Sequence, residues 1–499
     1  MLQNPADLPL ALYRAEQTRA LDAWLIAAGT PGFVLMQRAA LAAWQQLQQR
    51  WPEVRPVTVL AGVGNNAGDG LLLATLAHQA GWPVRVLAVG DPARLQGDAA
   101  RARDEALAAG VPLLPWRPDQ VLEGILVDAL LGTGLSGAVR PPFADAIRAI
   151  NASGLPVLAI DLPSGLSADT GQVLGVAVRA TLTVTFIGLK LGLLTGEGPE
   201  LAGVLVFAAL GAGAQARAAV APEALRLAGS ALPVLPPRPR QAHKGLFGLL
   251  LVIGGDLGTG GAALMAAEAG LRCGAGMVGL ATRPEHVLAS LVRCPEIMCH
   301  GLESSFALES LRQRATVLVV GPGLGQRAWG RSLLGLAARC PVPQVWDADA
   351  LNLLAEGVAC LPGQAIITPH PGEAARLLGS SIAEVQQDRP AAARALARRF
   401  DCVAVLKGAG TLVAAPDGQL ALCDRGHPAM ASAGLGDVRA GLLGALLAQG
   451  LSPFAAACLG VWLHARAGEQ AGQEGRGLLA TELIPLARQL LEAHSPCLG

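Results

Sequence analysis

The side chains best placed to do chemistry are carboxylates and carboxamides set in glycine turns directly after apolar runs. The run 57–61 leads into Gly62-Val63-Gly64-Asn65-Asn66-Ala67-Gly68-Asp69-Gly70. Read as G-x-G-x-x-A between a strand and a helix, this is a weak dinucleotide fingerprint, with Asp91 after the next apolar run as a ribose ligand. The Asn-Asn pair and Asp69 say more. They put hard oxygens and exposed backbone amides into one tight turn, which suits a phosphate or a cation. The alternative is a turn whose Asn and Asp residues only tolerate left-handed backbone and cap a helix. Two later segments favour a site. Asp128 follows the run 125–127 and precedes Gly132-Thr133-Gly134, and Asp161 follows the run 157–160 and precedes Pro163-Ser164-Gly165. One acid after a strand is often a cap, but three polar clusters at the carboxyl ends of parallel strands converge on one crevice.

A second set lies in the C-terminal half. In Ala433-Gly434-Leu435-Gly436-Asp437-Val438 a glycine turn feeds an apolar helix. Backbone amides at such an N-terminus stabilise a transferring phosphoryl group, and a carboxylate beside them can take the proton of the acceptor hydroxyl. Asp437 as a plain helix cap is the competing reading. His243-Lys244-Gly245 precedes the apolar run 249–253 and its turn Gly254-Gly255-Asp256, Gly321-Pro322-Gly323-Leu324-Gly325 and Thr368-Pro369-His370-Pro371-Gly372-Glu373 follow apolar runs, and Lys407-Gly408-Ala409-Gly410-Thr411 joins two of them. No G-x-x-x-x-G-K-[ST] is present, which disfavours the P-loop class. His370, between two prolines at a strand end, reads as a ligand residue rather than a structural histidine. His286, His300 and His464 are assigned no role.

The elements that must position these groups are α/β units. Apolar runs at 57–61, 84–89, 125–127, 157–160 and 182–186 alternate with Ala/Leu-rich helical stretches such as 71–79 and 97–109. Continuous apolar strands between helices imply a mainly parallel sheet covered on both faces. A second series at 249–253, 277–281, 317–320, 344–346, 365–368, 402–406 and 411–414 follows a proline-rich nonapeptide, LPVLPPRPR. The expected organisation is therefore an N-terminal Rossmann-like three-layer α/β/α domain over 1–215, a Pro-rich linker over 216–240 and a C-terminal α/β domain over 241–499.

Composition sets outer bounds. At ~150 residues per domain the chain holds two to four, and 52% hydrophobic with 15% charged residues argues against disorder. Lys+Arg and Asp+Glu both count 38, so bulk charge offers no attraction to nucleic acid or anionic membrane. The 9 cysteines form no C-x-x-C pair, which suits a reducing cytoplasm without a zinc or disulfide framework. The opening residues MLQNPADLPLALYRAEQ lack a basic, then apolar, signal pattern. The segment 440–465 is free of Asp, Glu, Lys and Arg, but Gln449-Gly450 before Pro453 marks a turn between two buried helices rather than a membrane span.

Taken together, GNNAGDG, VDALLGTGL and DLPSGLSADTG resemble the NAD(P)H-hydrate epimerase family over about 10–210. HKG, GPGLG, TPHPGE, KGAGT and AGLGDV resemble the ADP- or ATP-dependent NAD(P)H-hydrate dehydratases, of ribokinase-like fold, over about 232–495. The first resemblance implies a potassium ion on Asn66, Asp128 and Ser164. It implies substrate contacts from Asn65, Asn66, Ala67, Gly68, Asp69, Gly132, Thr133, Gly134, Leu135, Ser136, Gly137 and Ala138, with Asp161 as acid/base. Ala67 stands where family members usually have Gly, and a methyl there is the mildest change. The second implies that Lys407, Gly408, Ala409, Gly410, Thr411 and Gly436 bind the adenine nucleotide. Ala262, Gly323, His370 and Asp437 would contact the hydrated cofactor, Asp437 as catalytic base, and Glu373 would organise magnesium through water. Leu435 stands where many relatives carry Ser or Thr. A homo-oligomer is implied as well.

Three rivals remain at this level. One is a small-molecule kinase of the same fold, which would leave a stable phosphorylated product. Another has a non-catalytic N-terminal binding module, against which Asp128, Asp161 and Ser164 all count. The last is a nicotinamide-dependent dehydrogenase, for which the first half offers only Tyr13 and the helical His78.

Overall fold

The computed structural model describes residues 8–498. Residues 1–7 of the opening segment read above lie outside them. The chain divides into two compact units, one ending at Leu225 and the other starting at Arg226.

In the first unit seven strands form a wholly parallel sheet. Their spatial order is Leu113–Pro115, Val84–Ala88, Val57–Ala61, Ile125–Ala129, Val157–Ile160, Leu182–Phe186 and Val204–Ala208. The order runs outward in both directions from the pair Val57–Ala61 and Ile125–Ala129, in register Val59↔Val127 and Ala61↔Ala129. That pair is the topological switch point, where a crevice opens beyond the strand ends. Alternate residues feed opposite faces. Val57, Val59, Ile125 and Val127 pack with helices Gly32–Arg50, Asn65–Gln79 and Gly97–Ala108. Leu60 and Leu126 pack with Ile147 and Ile150 of helix Phe143–Ala152. The three-layer expectation holds. A short strand, Ala11–Tyr13, pairs parallel with Leu189–Lys190, placing Tyr13 opposite Lys190.

The strands of the second unit are ordered Met298–Gly301, Met277–Thr282, Leu249–Ile253, Val317–Val320, Gln344–Trp346, Ala365–Ile367, Val403–Leu406, Thr411–Ala414 and Leu420–Cys423. Pairing is parallel as far as Val403–Leu406 and antiparallel for the last two strands. Its core joins Leu250, Val252, Val278 and Val319 to Ala266, Leu442, Leu446 and Leu459. The uncharged segment 440–465 falls in helices Leu435–Ala448 and Pro453–Gly472, broken between them as expected. No single helix among the described residues is long and apolar enough to cross a membrane.

The stretch expected to be a linker departs from that reading. It contains helical residues of Ala214–Ala219 and strand Ala224–Arg226. Arg226 is fully buried, with Nε donating to Asp424 Oδ2 at 2.7 Å. Leu232 and Leu235 join the core, and Arg238 Nη2 donates to Gly274 O and Gln449 Oε1, both at 2.7 Å. The prolines stop regular elements, but the apolar residues and arginines between them find partners.

Candidate active sites

In the first unit a cavity of about 740 Å³ opens at the switch point. Gly62 shows why its first turn begins with glycine: a Cβ there would lie 2.0 Å from Leu130 O. Asn65, Asn66 and Asp69 line the cavity from the first turn of helix Asn65–Gln79, and Gly132, Thr133, Gly134, Leu135 and Ser136 line it from the loop after Ile125–Ala129. Four expected contacts are not among the lining residues. Ala67 is fully buried in the core, and its N–H is spent on Gly64 O; a Cβ on Gly68 would meet Met36 Sδ at 2.6 Å. Gly137 and Ala138 lie on the exposed continuation of their loop. Asp91 is exposed and caps a 3-10 turn through Ala93 N, so its ribose role finds no support.

Beneath the second loop is a cage of oxygens. Asp128 and Ser164 are fully buried. Asp128 Oδ1 accepts from Ser164 Oγ at 2.6 Å and Leu130 N at 3.2 Å, and Oδ2 accepts from Ser164 N at 2.8 Å. Asn66 Nδ2 donates to Leu131 O at 3.2 Å, while the buried Asn66 Oδ1 has no partner. Burial pushes the Asp128 carboxyl up to about 6, against the hydrogen bonds from Ser164 and Leu130.

Asp161 lines the same cavity on a left-handed backbone, φ 67°. Its Oδ1 accepts from Phe186 N at 3.1 Å and pairs with Lys190 Nζ. Lys190 is almost fully buried; its Nζ also donates to Phe186 O at 2.9 Å and Thr185 Oγ1 at 3.1 Å. Asp22 and Asp98 join the lining. The Asp69 carboxyl is raised well above its ordinary value by burial, then by Asp161 and Asp22, against Lys190. Sequence reasoning missed Lys190, Asp22 and Asp98. A lone Lys in the apolar run FIGLKLGLL was the readable signal for Lys190; the two acids sit on helices with nothing to mark them.

In the second unit Asp437 lies in the first turn of helix Leu435–Ala448, whose cap Gly434 has φ 85°. Burial, then Asp347, pushes its carboxyl up to about 7 against Lys407 and Arg439. Lys407 Nζ bridges Asp347 Oδ1 at 3.0 Å and Glu373 Oε2 at 3.4 Å. Burial raises the Asp347 carboxyl, but Lys407 and Arg439 outweigh it and the net shift is downward. Gly436 sits among these charges: a Cβ there would be 3.2 Å from Asp347 Oδ2, 3.9 Å from Lys407 Nζ and 4.0 Å from Arg439 Nη2. Asp347, missed at the sequence level, follows strand Gln344–Trp346, a strand-end acid of the kind used to find the others.

His370 is partly structural. It caps helix Pro371–Leu378, its Nδ1 accepting from Gly372 N at 3.0 Å and Glu373 N at 3.4 Å, while Glu373 Oε2 accepts from His370 N at 2.8 Å. The ring is half exposed, with Nε2 3.5 Å from Glu373 Oε1. Burial lowers the His370 pKa, against Glu373. The Lys407–Thr411 turn rests on Arg389, a buried residue sequence reading passed over, whose Nη2 donates to Lys407 O at 3.2 Å and Gly410 O at 3.4 Å. Gly408 and Gly410 take positive φ there, and Thr411 Oγ1 donates to Gly408 O at 3.1 Å. Gly323, φ 57°, accepts through its O from Thr259 Oγ1 at 2.8 Å, one turn before Ala262 on helix Gly260–Arg272. His464 Nε2 donates to Leu435 O at 2.9 Å; burial drives its pKa to about 3, a structural role. A separate cavity of about 830 Å³, lined by Glu268, Arg272, Arg293 and Arg488, holds none of the motif residues.

Residues 32–192 match the family model described as YjeF-related protein N-terminus, and residues 250–488 the model described as NAD(P)H-hydrate dehydratase. The chain is 46% identical over 487 residues to the bifunctional NAD(P)H-hydrate repair enzyme Nnr of Coxiella burnetii, covering 96% of this chain and 99% of that protein. It is 43% identical over 503 residues to the enzyme of the same name from Escherichia coli, covering 98% and 96%. A crystal structure from Bacillus subtilis, described as an ADP/ATP-dependent NAD(P)H-hydrate dehydratase co-crystallised with ATP and Mg2+, is 27% identical with a TM-score of 0.46, covering 52% of this chain and 95% of that one. With both halves matched and near-complete relatives above 40% identity, the chain belongs to the family of bifunctional NAD(P)H-hydrate repair enzymes.

Proposed function

We propose that the N-terminal unit interconverts the R and S epimers of hydrated NADH and NADPH. The C-terminal unit returns the S epimer to the reduced cofactor using ADP or ATP. The observation that carries this reading is that Asp161, just after strand Val157–Ile160, lines the switch-point cavity paired with Lys190, and Asp437 lies in the first turn of helix Leu435–Ala448 beside the Asp347–Lys407 pair.

At the epimerase site the carbon–oxygen bond of the hydrated ring breaks and re-forms on the opposite face; Asp161 gives a proton to the leaving oxygen and takes one back from the returning water, and Lys190 holds its carboxylate in place. The cage of Asp128, Ser164 and Asn66 fits a potassium ion: its donors are hard oxygens, and Asn66 Oδ1 lacks a partner. Such an ion supplies positive charge under the 132–136 loop, where the substrate phosphates are expected.

At the dehydratase site the ring hydroxyl oxygen attacks the terminal phosphorus of the nucleotide. The bond from that phosphorus to its bridging oxygen breaks, and Asp437 takes the hydroxyl proton. Hydroxide is a poor leaving group and phosphate a good one. The ring C–O bond then breaks with its electron pair going to phosphate, the neighbouring carbon gives its proton to water, and the double bond returns. The amides of the Gly434-Leu435-Gly436 turn hold the phosphoryl oxygens, and the Lys407–Thr411 turn holds the nucleotide. Glu373 is committed to its helix cap and to Lys407; magnesium, carried by the nucleotide, would meet it through water. All nine cysteines are free, in keeping with a reducing compartment. A homo-oligomer belongs to the same reading, and sedimentation velocity checks it.

The test is to incubate mixed hydrate epimers with the full chain, magnesium and ADP or ATP, and to follow recovery of NADH absorbance. Both epimers are expected to be consumed. A stable phosphorylated product with no recovery would identify a plain kinase instead.

A further inference from the structure

Arg439 takes no part in the chemistry above. It lies on helix Leu435–Ala448 and is 6% exposed, yet its buried Nε and Nη2 have no hydrogen-bond partner. A buried guanidinium without partners carries a heavy desolvation penalty. The flanking helix residues Val438, Ala440 and Leu442 are apolar and buried, so an aliphatic side chain at 439 would have suited the core.

Where the guanidinium points explains its presence. Helical side chains lean toward the helix N-terminus, and positions i and i+3 share a face. Arg439 is i+3 from Gly436, and the missing side chain at 436 leaves room over which it lies: Nη2 is 4.0 Å from where a Gly436 Cβ would stand. Lys407 Nζ is 3.9 Å from the same point. Two cations thus flank the first turn of the helix, beside its backbone amides.

We propose that Arg439 is a phosphoryl-binding residue, whose Nε–H and Nη2–H donate to oxygens of the terminal phosphoryl group as it passes from the nucleotide to the acceptor hydroxyl. This rests on the dehydratase reading given above and adds to it a side-chain clamp opposite Lys407. A planar guanidinium presents two parallel donors to a phosphoryl group, which a lysine ammonium does not match. The competing role, balancing the charges of Asp347, Glu373 and Asp437 without touching ligand, needs only a positive charge.

The test compares wild type with Arg439→Met and Arg439→Lys in the full chain, folding being checked by circular dichroism. Two readouts are taken: NADH recovery from the hydrate, and calorimetric affinity for ATP with magnesium. Arg439→Met is expected to fold, since an aliphatic side chain suits the buried neighbours Val438, Ala440 and Leu442. It should lower kcat for NADH recovery about a hundredfold or more, and weaken ATP binding at least tenfold. Arg439→Lys should restore less than a tenth of the lost rate. Wild-type rates in Arg439→Met, or full rescue by Arg439→Lys, overturn the clamp while the dehydratase reading stands. A wild type that binds ATP but recovers no NADH, with binding still weakened in Arg439→Met, overturns the reaction and keeps the clamp. Equal ATP affinity in wild type and Arg439→Met overturns the clamp whatever the rate.

Discussion

The Asp437 carboxyl, held near 7 by burial and Asp347, has a direct kinetic consequence. With Asp437 as the proposed base, the ionised form acts, so kcat for NADH recovery should rise about tenfold per pH unit below about 6 and level off above about 8. Asp437→Asn should remove at least about a thousandfold of the rate and flatten that limb; a variant that keeps the same pH profile would show that another group is titrating. Asp128 makes a prediction about stability. Its carboxyl stands at about 6 in the folded chain against 3.8 in a free one, so between those values the folded state binds more protons. Folding stability contributed by this group is therefore present below pH 4 and lost as pH rises through 6, on the order of 3 kcal/mol in all. A cation in the cage reverses that loss. Melting curves in potassium chloride and choline chloride should coincide near pH 4 and separate by about 5 °C at pH 7. Coincident curves at pH 7 would remove potassium from the site. At this scale the sequence showed the acids that follow strands, because a strand end is recognisable from its apolar run. It did not show Lys190, Arg389 or Arg439, because a buried cation looks like any surface one until its neighbours are known.

Elements were more legible than side chains. The parallel strands fell where continuous apolar runs stood, since a strand covered on both faces has no polar side to hide it. Strands Leu113–Pro115 and Val204–Ala208 of the first sheet and Met298–Gly301 and Leu420–Cys423 of the second were not anticipated. Val204–Ala208 runs straight into an Ala/Gly-rich stretch, and the others are only three or four residues long. The expected linker misled for a related reason: prolines end elements, but they do not tell whether what lies between them packs. Helix packing yields a sharp prediction. A Cβ on Gly441 would come within 1.9 Å of Ala266 O, where helix Leu435–Ala448 crosses helix Gly260–Arg272. Gly441→Ala would force the helices apart one turn beyond Asp437. It should destabilise the C-terminal unit by about 3 kcal/mol in urea titrations and slow NADH recovery with it. Unchanged stability would mean that the crossing yields without cost.

For the whole molecule, the two chemistries serve one substrate pool. If the epimers pass between sites through solution, defects in the two units complement each other. Asp161→Asn alone should leave one epimer consumed only at its spontaneous rate of exchange, and Asp437→Asn alone should recover no NADH. A mixture of the two variants should bring both epimers to NADH at about half the wild-type rate per chain. Failure of the mixture, with each variant folded, would mean that the substrate is handed over within a single chain.

The choice of asparagine in that experiment follows from the backbone at Asp161. With φ at 67°, the residue occupies a region that Asn and Asp tolerate, because their short polar side chains bond locally, and that alanine enters only at a cost of about 1 kcal/mol or more. An alanine scan would therefore confuse a distorted loop with a missing proton carrier. A series of Asn, Gly and Ala at this one position separates the two: equal turnover in all three assigns the loss to the carboxylate, and a further fall in Ala alone measures what the loop geometry contributes.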